Sequence, residues 1–314
     1  MWARLCAGLI LSVGILVPGG ALAQDAGLSR PVVQALPSRE ALQLNAALSR
    51  LGRNPRDKDA LVDAGDAASS MGDYEAAIGF YKRAQQISKD DGRVKAGLAG
   101  AFVQNGDPFT AIPLFAEAER AGVSGAKLAG NRGLAYDLVG DTATAQRFYQ
   151  MALKQGSDDE ISRRLAISLA ISGDERGVER TLLPLLRRQN KAAWRTRAFS
   201  LAILGKTKES VKITKTLLPG NLADGISPYL QYMPRLTAAQ QAAAANLGQF
   251  PRASEIGLDD PRVAQFAPRV ATPPKVASVE AGLVPAGRQL GDAPAVQREV
   301  TAETIKRQQA SEAR

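Results

Sequence analysis

The 314-residue sequence has no histidine, and its one cysteine, Cys6, stands near the N-terminus. Without histidine there is no Ser-His-Asp or Cys-His catalytic arrangement and no histidine general base. One thiol supports neither an intrachain disulfide nor a zinc site built on Cys and His. Aromatic residues are scarce, at 5%, so a core has to be assembled from Ala, Leu, Ile and Val. That composition favours close-packed helices over a β-sandwich. Gly-rich phosphate loops are also missing. These absences point away from an enzyme, and no metal or cofactor is expected. Long hydrophobic runs are lacking too: Leu5 to Val17 is an apolar stretch of thirteen residues, where a helix crossing ~30 Å of hydrocarbon takes ~20.

That short run has the layout of an export signal. Arg4 supplies a positive charge before it, Pro18-Gly19-Gly20 breaks it, and Ala21-Leu22-Ala23 is a small-x-small cleavage site. The expectation is a mature chain beginning at Gln24, located in the periplasm or secreted, with no transmembrane segment. Cys6 lies too early to be a lipoprotein cysteine.

A repeat governs the middle of the chain. Gly72-Asp73, Gly106-Asp107 and Gly140-Asp141 recur at steps of 34, followed by Gly173-Asp174 and Gly205-Lys206 at 33 and 32. Ala77, Ala111 and Ala145 keep the same step, as do Ala84, Ala118 and Ala152, and Tyr81, Phe115 and Tyr149. Glycine suits the left-handed backbone that ends a helix. The following aspartate can cap the next helix. Alanines seven apart lie on one face and let helices approach, with the aromatics filling the space beside them. Five helical hairpins are expected, at about 58–91, 92–125, 126–158, 159–190 and 191–218. Ser157-x-x-Glu160 and Thr237-x-x-Gln240 read as capping boxes. The carboxylate pairs Asp90-Asp91 and Asp158-Asp159 fall at helix starts, where capping accounts for them.

The segments Leu61…Gly65…Ala68…Gly72-Asp73-Tyr74…Ala77…Tyr81…Ala84 and Gly133…Tyr136…Gly140-Asp141…Ala145…Tyr149…Ala152 resemble tetratricopeptide (TPR) repeats. Trp194 takes the tryptophan place of that pattern in the fifth unit. Units four and five depart from it, with Val178 and Ser210 at the first alanine place and Leu185 and Leu217 at the second, which leaves their register open. The resemblance implies an all-α superhelix of about five helix pairs over 58–218. Flanking it are a linker and N-terminal capping helix in 24–57, with Leu44, Ala47, Leu48 and Leu51 on one face from Ser38 to Leu51, and a C-terminal capping segment in 219–251 with a helix from Thr237 to Leu247. Such caps are needed because each repeat buries its faces only against neighbours. Residues 252–314, rich in Pro and Ala without a helical stripe, read as a disordered tail, with a frayed helix from Val300 to Gln309.

The net charge of +9 is concentrated. Residues 163–215 carry thirteen basic and four acidic side chains, whereas 24–162 carry sixteen and eighteen. A basic region suits an acidic protein partner or an anionic envelope polymer. Export and the lack of interleaved aromatics argue against nucleic acid. Arg187, Arg188, Lys206, Lys208, Lys212 and Lys215 also fit a plain solvated outer face. The TPR resemblance implies a concave groove lined by first helices, placing there Asp59, Asp63 and Asp66, then Lys127 and Asn131, then Arg163 and Arg164, then Arg195 and Thr196. Lys127 and Asn131 resemble part of the carboxylate clamp of some TPR domains, while Val62, Asp66 and Gly97 occupy its other places. Groove recognition is expected to centre on Lys127, Asn131, Arg163, Arg164 and Arg195.

Residues 227–251 resemble the region following the repeats in envelope TPR proteins related to SPOR-domain and Tad/Flp pilus-assembly proteins. The expected function is that of a non-enzymatic secreted TPR protein mediating protein–protein interactions in a bacterial envelope complex. The alternatives are a pilus or secretion-system assembly factor, and a cell-wall-associated protein that binds anionic polymers.

Overall fold

A computed structural model describes residues 36–266. The expected export signal and the expected frayed helix over 300–309 lie outside the described residues. The described residues up to Asp260 form one compact unit; of a second, starting at Pro261, the described part is the 3-10 helix Pro261–Phe266.

The first unit is a stack of helix pairs, α2 Lys58–Ser70 with α3 Tyr74–Ile87, α4 Gly92–Gln104 with α5 Pro108–Arg120, α6 Gly125–Leu138 with α7 Thr142–Leu153, α8 Asp159–Ile171 with α9 Glu175–Arg187, and α10 Lys191–Ile203 with α11 Thr207–Leu217. The all-α array of five pairs is therefore what the chain forms. Helix α1, Arg39–Arg53, covers the first pair through Ala47 and Leu51. Helix α12, Gly220–Tyr232, packs on the last pair, and α13, Ala238–Leu247, follows a 3-10 turn.

The repeated residues do the jobs their chemistry suggests. Gly72, Gly106, Gly140, Gly173 and Gly205 all have φ between 78° and 86°, a region closed to most side chains by Cβ clash. Asp73, Asp107, Asp141 and Asp174 each accept a bond from a backbone N–H three residues on, at 2.8 to 3.1 Å. Lys206, at the equivalent place, makes no such cap. Thr237 and Gln240 form the expected capping box. The other expected box is not formed: Asp158, not Ser157, caps α8, accepting from Glu160 N and Ile161 N at 2.8 and 2.9 Å. A carboxylate one residue closer to the helix outcompetes the serine hydroxyl.

Packing follows the 34-residue step. Ala77, Ala84, Ala111, Ala118 and Ala145 are fully buried, with Tyr81, Phe115 and Tyr149 between them; Ala152 is half-buried. The two tyrosine rings need a glycine opposite. A Cβ on Gly65 would lie 2.7 Å from the Tyr81 ring, and one on Gly133 would lie 2.6 Å from that of Tyr149. The equivalent places opposite Phe115 and Leu182 hold Ala99 and Ala166. Polar bonds join neighbouring pairs along the stack: Lys58 to Asp91 at 2.6 Å, Arg93 to Asp59 at 2.8 Å and Asn190, the α10 cap, to Asp159 at 3.1 Å.

The C-terminal capping segment has three features that the sequence reading did not specify. Helix α12 forms despite Gly220, Gly225 and Pro228, because Ala223, Ser227 and Leu230 are buried on its inner side. Helix α13 does not simply extend the stack but folds back against α6, α8 and α10, placing Ala242 among Val103, Leu134 and Leu138. Ordered structure also continues past the boundary expected at 251. The Gln240 amide donates to Glu255 O and Leu258 O at 2.6 and 2.8 Å, and Ile256 packs on the C-terminal core.

Candidate functional site

Successive first helices touch one another, α2 to α4, α4 to α6, α6 to α8 and α8 to α10. They form an inner face, and on it lies a cavity of about 710 Å³ lined from α2, α4, α6 and α8. Its width comes from small residues. Gly97 and Gly100 sit one turn apart on α4; a Cβ on Gly97 would meet the Tyr81 ring at 2.5 Å, and one on Gly100 the Asn131 amide at 3.1 Å. Gly130 lets Ile161 of α8 come equally close to α6.

Lys127 and Asn131, four apart on α6, share one face and both line the cavity. The Asn131 side-chain oxygen accepts from Gln104 Nε2 and from Arg164 Nη1, each at 3.2 Å. That pairing fixes the amide, so its NH2 group is left to the cavity. Lys127 is exposed and makes no ion pair among the described residues. Two donors one turn apart suit a carboxylate or a peptide carbonyl.

Arg164 lines the same cavity but is not free. It is buried, and its guanidinium is held by Glu160 and by Asn131. Its role is to orient Asn131. Below the floor lies Asp137, fully buried, which accepts from Ser168 Oγ at 2.7 Å and Tyr149 OH at 2.9 Å. Burial pushes its carboxyl up to about 8, against the opposing pull of those two hydrogen bonds and of Arg164. Its carboxyl therefore keeps its proton well above the ordinary carboxylate range. At the other end of the cavity, Tyr81 OH donates to Asp66, whose carboxyl is also raised by burial.

The remaining expected groove residues are dispersed. Arg163 does not line the cavity. Arg195 lines a different, apolar hollow between α10, α11 and α12. Thr196 turns its hydroxyl back to Ala192 O at 3.0 Å. Asp59 and Asp63 are neutralised by Arg93 and Arg50, at 2.8 and 2.5 Å, so the acidic-to-basic gradient along the groove is weaker than their charges alone imply. Sequence reasoning missed Gln104, Tyr81 and Asp137; the paired mid-helix glycines of α4 were the available signal, since such glycines mark close approach. Among the described residues, no group of three or more acidic or thiol side chains is placed to hold a metal, and no helix is long and apolar enough to cross a membrane.

The described residues thus form a TPR-like solenoid, a stack of paired helices whose first helices line a polar cavity. Residues 126–238 match the family model described as tetratrico peptide repeat. Similar solved structures include YrrB, described as a TPR protein with an unusual peptide-binding site, at 16% identity over 59% of this chain and 99% of that one, with a TM-score of 0.42. A tetratricopeptide repeat protein from Parabacteroides merdae is 17% identical over 71% of this chain and 88% of that one, with a TM-score of 0.46. No curated protein matches the sequence.

Proposed function

We propose that this protein is a non-enzymatic binding module that holds a carboxylate-bearing segment of a partner protein on its inner face, outside the cytoplasm, within a bacterial envelope complex. The observation that carries the reading is the cavity in which unpaired Lys127 and the oriented Asn131 amide stand one helical turn apart. Helix α13 covers apolar inner surface around Leu138 and Ile171, so the surface left open is polar. A partner is then chosen by hydrogen bonds and charge more than by apolar burial. Arg164 and Asp137 act from beneath, fixing the floor. The extracytoplasmic location rests on the Arg4 to Ala23 pattern.

Two measurements test this. A fluorescein-labelled acidic peptide, titrated by anisotropy, should lose at least about tenfold in affinity with Lys127→Glu, which reverses an inner-face charge. Unchanged affinity would remove Lys127 from the site. N-terminal sequencing of the protein recovered from cells should begin at Gln24; a chain that keeps Met1 refutes export.

The alternative, attraction to an anionic envelope polymer, draws on another observation. Arg187, Lys191, Arg195, Lys208 and Lys212 are exposed and unpaired among the described residues. Binding through such a surface falls steeply with salt and tolerates Lys127→Glu.

A further inference from the structure

Between α10, α11 and α12 lies a hollow of about 40 Å³ with almost entirely apolar walls, formed by Phe199, Leu217, Leu218, Ile226 and Leu230. One water-sized group takes ~10–15 Å³ of such space, and apolar cavities stay dry. The hollow therefore has room for the three- or four-carbon end of one aliphatic side chain and excludes an aromatic ring. Its edge is Arg195, exposed and without an ion pair among the described residues. Lys191, also exposed and unpaired, precedes it by one turn on the same face of α10. The apolar surface continues on α12, where Leu222 and Tyr229 stand four before and three after Ile226 and are 55% and 49% exposed.

We propose that this hollow is a second docking site, separate from the inner-face cavity, and that it takes a partner segment in which a Leu, Ile or Val side chain adjoins an Asp or Glu. The aliphatic group fills the hollow and is removed from water. The neighbouring carboxylate meets the Arg195 fork, whose planar donors match it in two parallel bonds. Charge selects the occupant. The surrounding region, 163–215, has an excess of nine positive charges, so a basic segment, or the same basic face of a second copy of this chain, is repelled. Leu222 and Tyr229 supply the rim on which the flanking residues of the segment lie. Neither feature recruits such a segment alone: the hollow without Arg195 would take any aliphatic residue, and Arg195 without the hollow would be one more exposed cation.

Three acetylated, amidated peptides of Gly and Ser, differing only in a central Leu-Glu, Leu-Lys or Ser-Glu pair, provide the probes. Each is titrated into the full chain, with the fluorescence of Trp194, adjacent to Arg195, as readout. Leu-Glu should bind at least about tenfold more tightly than either other peptide. Arg195→Gln should reduce the preference for Leu-Glu over Leu-Lys severalfold, the remainder coming from the surrounding positive charge. Ile226→Phe, which fills the hollow, should bring Leu-Glu and Ser-Glu together, with the far-ultraviolet helical signal and melting temperature confirming that the stack is intact. Lys127→Glu, in the inner-face cavity, should leave all three affinities unchanged. The proposal is overturned if none of the peptides binds, if Leu-Glu and Ser-Glu bind alike to the wild type, if Arg195→Gln leaves the preference intact, or if Lys127→Glu abolishes Leu-Glu binding.

Discussion

Replacing Asp137 by asparagine should stabilise the protein, and the gain should depend on pH in a defined way. The folded-state pKa of about 8 lies above the ordinary value of 3.8, so the folded chain holds this proton more tightly than the unfolded chain does. The resulting stability is complete below about pH 4 and drains away as the pH rises towards 8. At pH 7 the two states differ by about three pKa units, and at about 1.4 kcal/mol each the loss reaches about 4 kcal/mol relative to acid. An amide in the same place has no such term. Its oxygen can still accept from Ser168, and its NH2 can donate to the Tyr149 hydroxyl, which serves as donor or acceptor. The assay is urea unfolding of wild type and Asp137→Asn at half-unit steps from pH 5 to 9. The stability difference should move in favour of the variant by about 1.4 kcal/mol per pH unit up to about pH 7.5, then level off above 8. The window is unusually clean, because the chain has no histidine to titrate within it. A difference that stays constant from pH 5 to 8 would show that Asp137 ionises normally and that its burial is relieved by water.

Gly65→Ala should cost about 1–3 kcal/mol by forcing the Tyr81 ring aside, and Tyr81→Leu should remove most of that penalty, as the natural Ala166 and Leu182 pairing suggests; additive effects in this double-mutant cycle, read by thermal melts, would break the link. Asp107→Ala should cost about 1 kcal/mol through loss of the α5 cap, which accepts from Thr110 N at 3.1 Å and Thr110 Oγ1 at 2.6 Å; an unchanged melting temperature would show that water replaces the cap. Ala111→Leu, at a site with no exposed surface, should destabilise by about 1–3 kcal/mol through overpacking, and a stability equal to wild type would mean that α4 and α5 can move apart.

The solenoid is legible in the sequence because it is written three times in phase. Gly72, Gly106 and Gly140 fix the hairpin turns, and the alanine and aromatic places fix the packing faces. Local chemistry also gives Asp73, Asp107, Asp141 and Thr237 as caps. What is not legible depends on tertiary contact. In α12, Gly220, Gly225 and Pro228 argue against a helix, and burial of Ala223, Ser227 and Leu230 overrides them. The TPR resemblance implies an inner-face place for Lys127 and Asn131, and both line the cavity there. That Arg195 belongs to an apolar hollow depends on α12, an element that repeat position does not specify, whereas the Glu160–Arg164 pair, four apart on α8, follows from spacing. Asp137 carries no sequence sign of its burial, since the aspartate three places before a Gly-Asp turn has no counterpart in the other pairs.

Repeat arrays ordinarily behave as chains of nearest-neighbour springs, each pair opening with little regard for distant ones. The fold-back of α13 breaks that rule. It reaches α6, about a hundred residues earlier in the chain, and clamps α6, α8 and α10 together. Pairs three to five are thereby coupled into one block, and Val103 of α4 packs in the same cluster as Ala242, while the first pair keeps its nearest-neighbour contacts. The cavity reaches across this boundary, with Asp66 on the first pair and Asn131 and Arg164 on the braced helices α6 and α8. The two walls of the cavity are thus built differently, one by nearest-neighbour contacts alone and the other braced by a helix from a hundred residues further along the chain.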